Sequence, residues 1–350
     1  MTTVVQAVFW ASLLVAAYVY VGYPLLLAVW SRLAPRPVRR AGWEPTVSLL
    51  IAARNERDTI ARKIDNCLSL DYPPHKLQIV VSLDGPTDGT DRVVREHAVA
   101  VDVVGSVRHQ GKAAALNRAV AAATGEILVF CDARQRIDPH AVRELVADLA
   151  DPSVGAVTGE LVLVAEDGRE AADGVGLYWR YEKALRSMES RIHSTVGASG
   201  ALYAVRRSLF VTLPDETILD DVMVPLRVVL GGKRIVFEPR ARAYDRVCPP
   251  KSEFDRKVRT LAGNFQLVTL MPEVLRPWRN PVFLQFLSHK IGRLMVPYCL
   301  VLLLASNLLL REGLYLLFLA GQTTWYLLAS AGALVDRTRR RPELALKGGT

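Results

Sequence analysis

Residues 1–31 carry no charged side chain. The apolar run 4–30 inside this stretch is long enough to cross a hydrocarbon core of about 30 Å, and a backbone at that depth must close its hydrogen bonds within a helix. It exceeds the apolar core of a signal peptide, no small-residue cleavage site stands out after it, and Arg32, Arg36, Arg39 and Arg40 follow directly. An N-terminal transmembrane helix over 1–31, retained rather than removed, is the expectation; a buried helix of a soluble domain is the competing account.

Two more apolar stretches, 294–310 and 313–335, are separated only by Arg311 and Glu312. That spacing predicts a transmembrane hairpin over 294–335, with Pro297 tolerated because neighbouring helices satisfy the freed carbonyl. One helix with a polar break is the alternative. Lys and Arg cluster after the first span, at Arg276, Arg279, Lys290 and Arg293 before the second, and at Arg337, Arg339, Arg340 and Arg341 after the third. The positive-inside rule then puts the N-terminus outside, and the central region and a basic tail over 336–350 in the cytosol, as for an integral protein of a bacterial inner membrane. Part of the net charge of +9 is thus topological, which removes the reason to infer a nucleic-acid surface. Cys67, Cys131, Cys248 and Cys299 form no CxxC pair or metal-ligand spacing and are expected to be reduced, mostly buried thiols.

Residues 45–138 alternate strand and helix patterns in the βαβ manner. Strands are expected at 47–52, 77–83, 101–104 and 127–131, with helices at 56–70, 90–97 and 112–123. Beyond these come a strand over 155–164 and a helix over 176–193. In open α/β sheets ligands bind beyond the carboxyl ends of the strands. The turn Arg54-Asn55-Glu56, Asp84 and Asp132 all follow such ends and should converge on one edge.

Five short motifs carry candidate chemistry. They are Ala52-Ala53-Arg54-Asn55-Glu56, then Asp84-Gly85-Pro86-Thr87-Asp88-Gly89, then Gly111-Lys112 leading to Asn117, then Asp132-Ala133-Arg134, and Leu219-Asp220-Asp221. Each has an ordinary explanation alone: a helix-start carboxylate, an Asp/Gly-rich turn, a solvated Gly-Lys, or acids at a helix N-cap. A Lys opening a helix also suits an anionic diphosphate, and a hard carboxylate suits a divalent cation. Taken in order, the set resembles the family-two glycosyltransferases, the inverting GT-A type whose membrane members include cellulose, chitin, hyaluronan and poly-N-acetylglucosamine synthases.

The resemblance implies an α/β, Rossmann-like GT-A domain, in the cytosol over 44–275. It also implies a nucleotide-sugar donor, UDP-linked in the leading case, and a glycan or lipid-linked acceptor. Ala52, Arg54, Glu56, Asp84, Lys112, Asp132 and Arg134 would bind the donor, and Asp132 would hold Mg²⁺ or Mn²⁺. Asp221 would be the catalytic base and Asp220 its neighbour on the acceptor side. Arg134 departs from the family's Asp-x-Asp and cannot bind a cation: either Asp132 holds the metal together with another group, or Arg134 takes over part of the phosphate neutralisation by pairing with oxygen directly. Arg256-Lys257-Val258-Arg259-Thr260 lies where processive members carry Gln-x-x-Arg-Trp; Arg259 matches the Arg, while Arg256 and Thr260 replace Gln and Trp. A basic helix near anionic lipid is the plainer account of that segment.

Trp179 opens the helix that borders the acceptor in similar synthases, and an ordinary core aromatic fits it equally well. Residues 281–293, with Ser288-His289-Lys290, are expected to form an interfacial helix whose Lys290 and Arg293 face headgroups and whose apolar face meets membrane lipids. Three membrane helices are few for a secretion channel, so a polymerase would need a partner subunit or self-association. A catalytically inactive scaffold that binds nucleotide or glycan is the alternative from another class.

Overall fold

A computed structural model describes residues 2–164, 176–246, 250–310 and 312–347; Cys248, Arg311 and the side chains of Arg337, Arg339, Arg340 and Arg341 lie outside what it describes. Two compact units are resolved, one from Met1–Tyr23 with Ile291–Thr350 and the other from Pro24–Lys290.

The larger unit is built on one eight-stranded sheet of order β3-β2-β1-β4-β7-β6-β8-β5. Its strands are β1 (Val47–Ala53), β2 (Leu77–Asp84), β3 (Asp102–Ser106), β4 (Ile127–Asp132), β5 (Arg136–Ile137), β6 (Val154–Val164), β7 (Leu202–Arg206) and β8 (Arg234–Arg246). β1, β2, β3 and β4 run parallel, whereas β7 is antiparallel to both β4 and β6. Continuous apolar runs explain the parallel half, because a strand covered by helices on both faces needs no polar side. Leu49, Leu50, Ile51, Val80, Val81, Ile127, Leu128 and Val129 are accordingly buried.

β1 lies between β2 and β4, so sheet growth reverses across it and opens a crevice at the carboxyl ends, the place where α/β sheets bind ligands. The register aligns Ala53 with Leu83 and Ala52 with Asp132, which brings those ends to one level. The helix expected from residue 56 starts instead at Ile60 and runs Ile60–Leu68. Residues 56–59 form a turn in which the Thr59 and Ile60 N–H groups donate to the Glu56 carbonyl at 3.0 and 2.9 Å.

In the smaller unit Phe9 is fully buried and meets Tyr315 edge-on at 5.0 Å and Phe318 at 5.5 Å, beside Leu303 and Leu310. Among the described residues two helices are long and apolar enough to cross a membrane, Thr2–Leu33 with 32 residues and Phe283–Leu309 with 27. The expected third span falls in the 34-residue helix Leu314–Lys347 and does not reach that standard, because Gln322-Thr323-Thr324 dilutes its apolar run. Phe283–Leu309 is continuous through a π-helical turn at Phe286–Ile291, so the anticipated border at 293/294 lies inside a helix.

Gly125 ties the β4 entry to β1. Its N–H donates to Ser48 Oγ at 2.8 Å, and a Cβ there would stand 2.5 Å from the Ser48 backbone nitrogen. Gly125→Ala is expected to destabilise the sheet by about 1–3 kcal/mol through overpacking, read as a lowered midpoint in thermal unfolding of the detergent-solubilised chain.

Candidate active site

The site begins with two turns locked together. After β1 the chain enters the left-handed region at Asn55 (φ 52°), and the Asn55 side-chain oxygen accepts the Thr87 N–H at 2.9 Å. Glu56 N–H donates to the Thr90 hydroxyl at 2.8 Å, and Arg57 N–H to Asp88 at 3.1 Å. The Glu56 carboxylate accepts the Thr59 hydroxyl at 2.6 Å. A residue without a side-chain acceptor at 55 would lose one tie between the turns.

Asp84, at the end of β2 and 3% exposed, is occupied by the segment that follows β3. Its carboxylate accepts the Gln110 N–H at 2.8 Å, the Gly111 N–H at 3.0 Å, the His109 ring at 2.7 Å and Arg118 at 3.4 Å. Burial works to raise its pKa, but the Gln110 bond, the His109 contact and the Gly111 bond outweigh it, and the group is held below the usual carboxylate range. Asp84 therefore positions residues 109–111 at the edge of the sheet.

Gly111 (φ 97°) then starts the helix Lys112–Ala122. Lys112 Nζ lies 3.0 Å from Asp132 at the end of β4 and 3.4 Å from Asp220 at the start of the helix Asp220–Leu230. Burial would lower the Lys112 pKa, yet Asp220, Asp132 and Asp221 together raise it. Burial also pushes Asp220 up to about 6, with Asp221 and Asp132 adding to the rise and Lys112 opposing it. One Asp220 oxygen faces Lys112; the other is buried without a hydrogen-bond partner. Asp221 turns elsewhere, one of its oxygens accepting the Gly200 N–H at 3.1 Å.

These groups border a cleft of about 870 Å³. Of the residues singled out in the sequence, Ala52, Arg54, Glu56, Asp84, Lys112, Asp132, Arg134 and Arg259 line it. Asp220 and Asp221 stand behind Lys112 and are not in the lining, nor are Arg256 and Trp179. Trp179, partly exposed on the helix Gly176–Ile192, meets Tyr178 edge-on at 6.3 Å.

Sequence reasoning missed His109, Gln110 and the wall formed by Asp215, Glu216, Thr217 and Ile218. The wall is held by Gln266, which accepts the Ile218 N–H at 2.9 Å and donates to the Glu216 carbonyl at 2.8 Å. Arg259, about two turns earlier on the helix Pro250–Leu270, reaches the Ile218 carbonyl at 3.5 Å.

Among the described residues no group of three or more His, Cys, Asp or Glu is assembled for a metal ion. A Mg²⁺-like cation bound with a diphosphate needs only one or two carboxylates, the rest of its shell being phosphate oxygens and water. Asp132, in the cleft lining, can supply one such carboxylate.

An open α/β sheet with a crevice at its strand ends is the GT-A architecture, and residues 48–212 match the model of Glycosyl transferase family 2. That match spans 165 of the 350 residues and is consistent with glycosyltransferase activity. It is similar to Probable glycosyltransferase YdaM of Bacillus subtilis, 26% identical over 212 residues that cover 57% of this chain and 50% of the relative. It is similar as well to Poly-beta-1,6-N-acetyl-D-glucosamine synthase of Staphylococcus epidermidis, 29% identical over 209 residues covering 57% of this chain and 49% of the relative. The chain thus spans about half the length of these curated relatives. Its fold is shared with the mannosyltransferase PcManGT from Pyrobaculum calidifontis, solved in complex with GDP-Man and Mn²⁺, at a TM-score of 0.75 and 24% identity over 92% of each chain.

Asp84→Asn places an amide nitrogen among N–H donors, so it is expected to cost about 1–3 kcal/mol at pH 7. Because the folded pKa of Asp84 is depressed, its stabilisation is complete above the unfolded value of about 3.9 and is lost as pH falls through the lower folded value. Urea unfolding across this acid range should show a smaller pH dependence in the variant than in the parent.

Proposed function

We propose that this chain is a membrane-bound inverting glycosyltransferase. In this reading it transfers a sugar from a nucleotide-sugar, most simply a UDP-sugar, to a glycan or lipid-linked acceptor at the cytosolic face of a bacterial inner membrane, in polysaccharide or glycolipid synthesis. The observation that carries the proposal is the meeting of Asp132 and Asp220 at the Lys112 ammonium beside the cleft, with Asp221 next in sequence acting on the same charge from farther off. The two long apolar helices support the membrane assignment, and the Lys and Arg clusters that flank them support the cytosolic orientation.

Lys112, Arg134 and Arg259 give the cleft a cationic wall for the diphosphate, reinforced by the N-terminal end of the Lys112–Ala122 helix. A Mg²⁺ or Mn²⁺ ion, held by Asp132 with phosphate oxygens and water, would supply charge neutralisation of the leaving group. Asp221 is assigned as the base that takes the proton of the acceptor hydroxyl, oriented by the Gly200 N–H. Asp220 keeps Lys112 in place from behind. A third membrane span within Leu314–Lys347 completes this reading, its polar Gln322 donating to the Leu300 carbonyl at 3.0 Å instead of facing lipid.

Purified full chain in detergent should turn over a UDP-sugar. Asp221→Asn should lower kcat by about 10²–10⁴-fold while leaving UDP affinity unchanged; undiminished turnover would remove Asp221 as the base. Lys112→Gln, which deletes a charge-assisted contact of about 1.5–3 kcal/mol, should weaken UDP binding in calorimetry by about 10–100-fold. UDP binding without turnover of any nucleotide-sugar tried would favour the inactive scaffold.

A further inference from the structure

The helix Asp220–Leu230 carries Asp220 and Asp221 in its first turn and begins without a capping side chain. Leu219 holds the N-cap position, where an Asp, Asn, Ser or Thr would ordinarily accept one of the first N–H groups. The entry of this helix is therefore set by the segment that leads into it, 213–219, which other side chains fix along its length. At the start, Asn117 donates to the Leu213 carbonyl at 2.8 Å and accepts the Leu213 N–H at 3.0 Å. In the middle, the Thr217 hydroxyl closes a turn by donating to the Pro214 carbonyl at 2.7 Å. At the end, Gln266 takes the Ile218 N–H and the Glu216 carbonyl together. Gly263, one turn before Gln266 on the same face of Pro250–Leu270, lets that helix press on the segment, since a Cβ there would stand 2.5 Å from Leu219. Asn117 belongs to the helix Lys112–Ala122, so the segment leaves that helix at Leu213 and comes back to it where Asp220 meets Lys112.

We infer that Gln266 is a positioning residue of the transfer reaction: through the main chain of Glu216 and Ile218 it sets where Asp220 meets Lys112 and where Asp221 stands as the base. The inference rests on the function proposed above and adds to it a side chain from outside the cleft and outside every motif. Ile218 lies two residues before Asp220 and three before Asp221, so a shift of its peptide passes to both acids with little chain to absorb it. A carboxamide suits the task because one planar group both accepts and donates, which matches an N–H and a carbonyl two residues apart. Arg259 also reaches Ile218, but at 3.5 Å and from the cleft lining, where it faces the diphosphate of the proposed donor. Gln266 is then the tie that a bound diphosphate does not draw away.

The test uses the full chain in detergent, with UDP release from a UDP-sugar as the rate and the fraction that binds UDP in calorimetry as the enzyme concentration. Gln266→Met keeps the length of the side chain and removes both hydrogen bonds. It should lower kcat about 10–100-fold while KM for the donor and UDP affinity stay within about threefold. Deuterium exchange in the 213–219 peptide should quicken about tenfold, with β1 and β4 unchanged. Gln266→Glu keeps the acceptor for the Ile218 N–H and loses the donor, so its kcat should fall by a smaller factor, about 3–30-fold. A side chain that only stabilises the fold would reduce the UDP-binding fraction and leave kcat per binding molecule within about twofold of the parent. That result in either variant overturns the inference, and so does a loss of UDP affinity in step with kcat, which would mean that the donor wall itself had been disturbed. Failure of the proposed function reads differently: a parent that turns over no nucleotide-sugar, or undiminished turnover in Asp221→Asn, removes that reading and the inference with it.

Discussion

Two carboxylates delivered by separate elements, Asp132 and Asp220, meet at one buried cation, the Lys112 ammonium, whose charge opposes the rise that burial imposes on Asp220. The surrounding structure can be followed outward from it. Lys112 is placed by Gly111, whose left-handed backbone lets the helix begin at that point. Gly111 is placed by Asp84, which holds its N–H and that of Gln110 from the end of β2. Asp132 is delivered by β4 and Asp220 by the start of a separate helix. Elements far apart in the chain thus reach one charge through the strand ends of a sheet whose order reverses at β1.

What the sequence could disclose follows the range of each interaction. The parallel strands were legible because each is a short apolar run, and a turn rich in Asp and Gly after such a run places a carboxylate at the sheet edge. Asp84 and Asp132 were found at such strand ends, and Lys112 by the Gly-Lys motif that opens a helix. The task of Asp84 was hidden, since its partners are mainly backbone N–H groups some 25 residues away, and backbone donors leave no trace in side-chain identity. His109 belongs to no motif. The wall at Asp215–Ile218 was invisible for the same reason as the Asp84 cradle: Gln266 grips it through main-chain atoms. β8, over Arg234–Arg246, was missed although Arg and Ala alternate through its second half in the period-two pattern of a strand with one solvated face. Arg256 and Trp179, chosen by motif position, stand off the cleft because neighbours on a helix point in different directions.

Apolar residues in this chain answer to two surroundings. In the sheet they are covered by helices and vanish from the surface. Along Thr2–Leu33 and Phe283–Leu309 they are exposed over lengths that match a hydrocarbon core. Composition alone merges these cases; the distinction lies in which side of each helix is left uncovered.

The grip of Gln266 on the Ile218 N–H and the Glu216 carbonyl has an evolutionary corollary. A clamp that recognises only main-chain atoms is indifferent to which side chains hang from the segment it holds. The exposed side chains of Asp215 and Glu216 can therefore drift among descendants, changing the chemistry presented at the cleft, while the rim they decorate keeps its place.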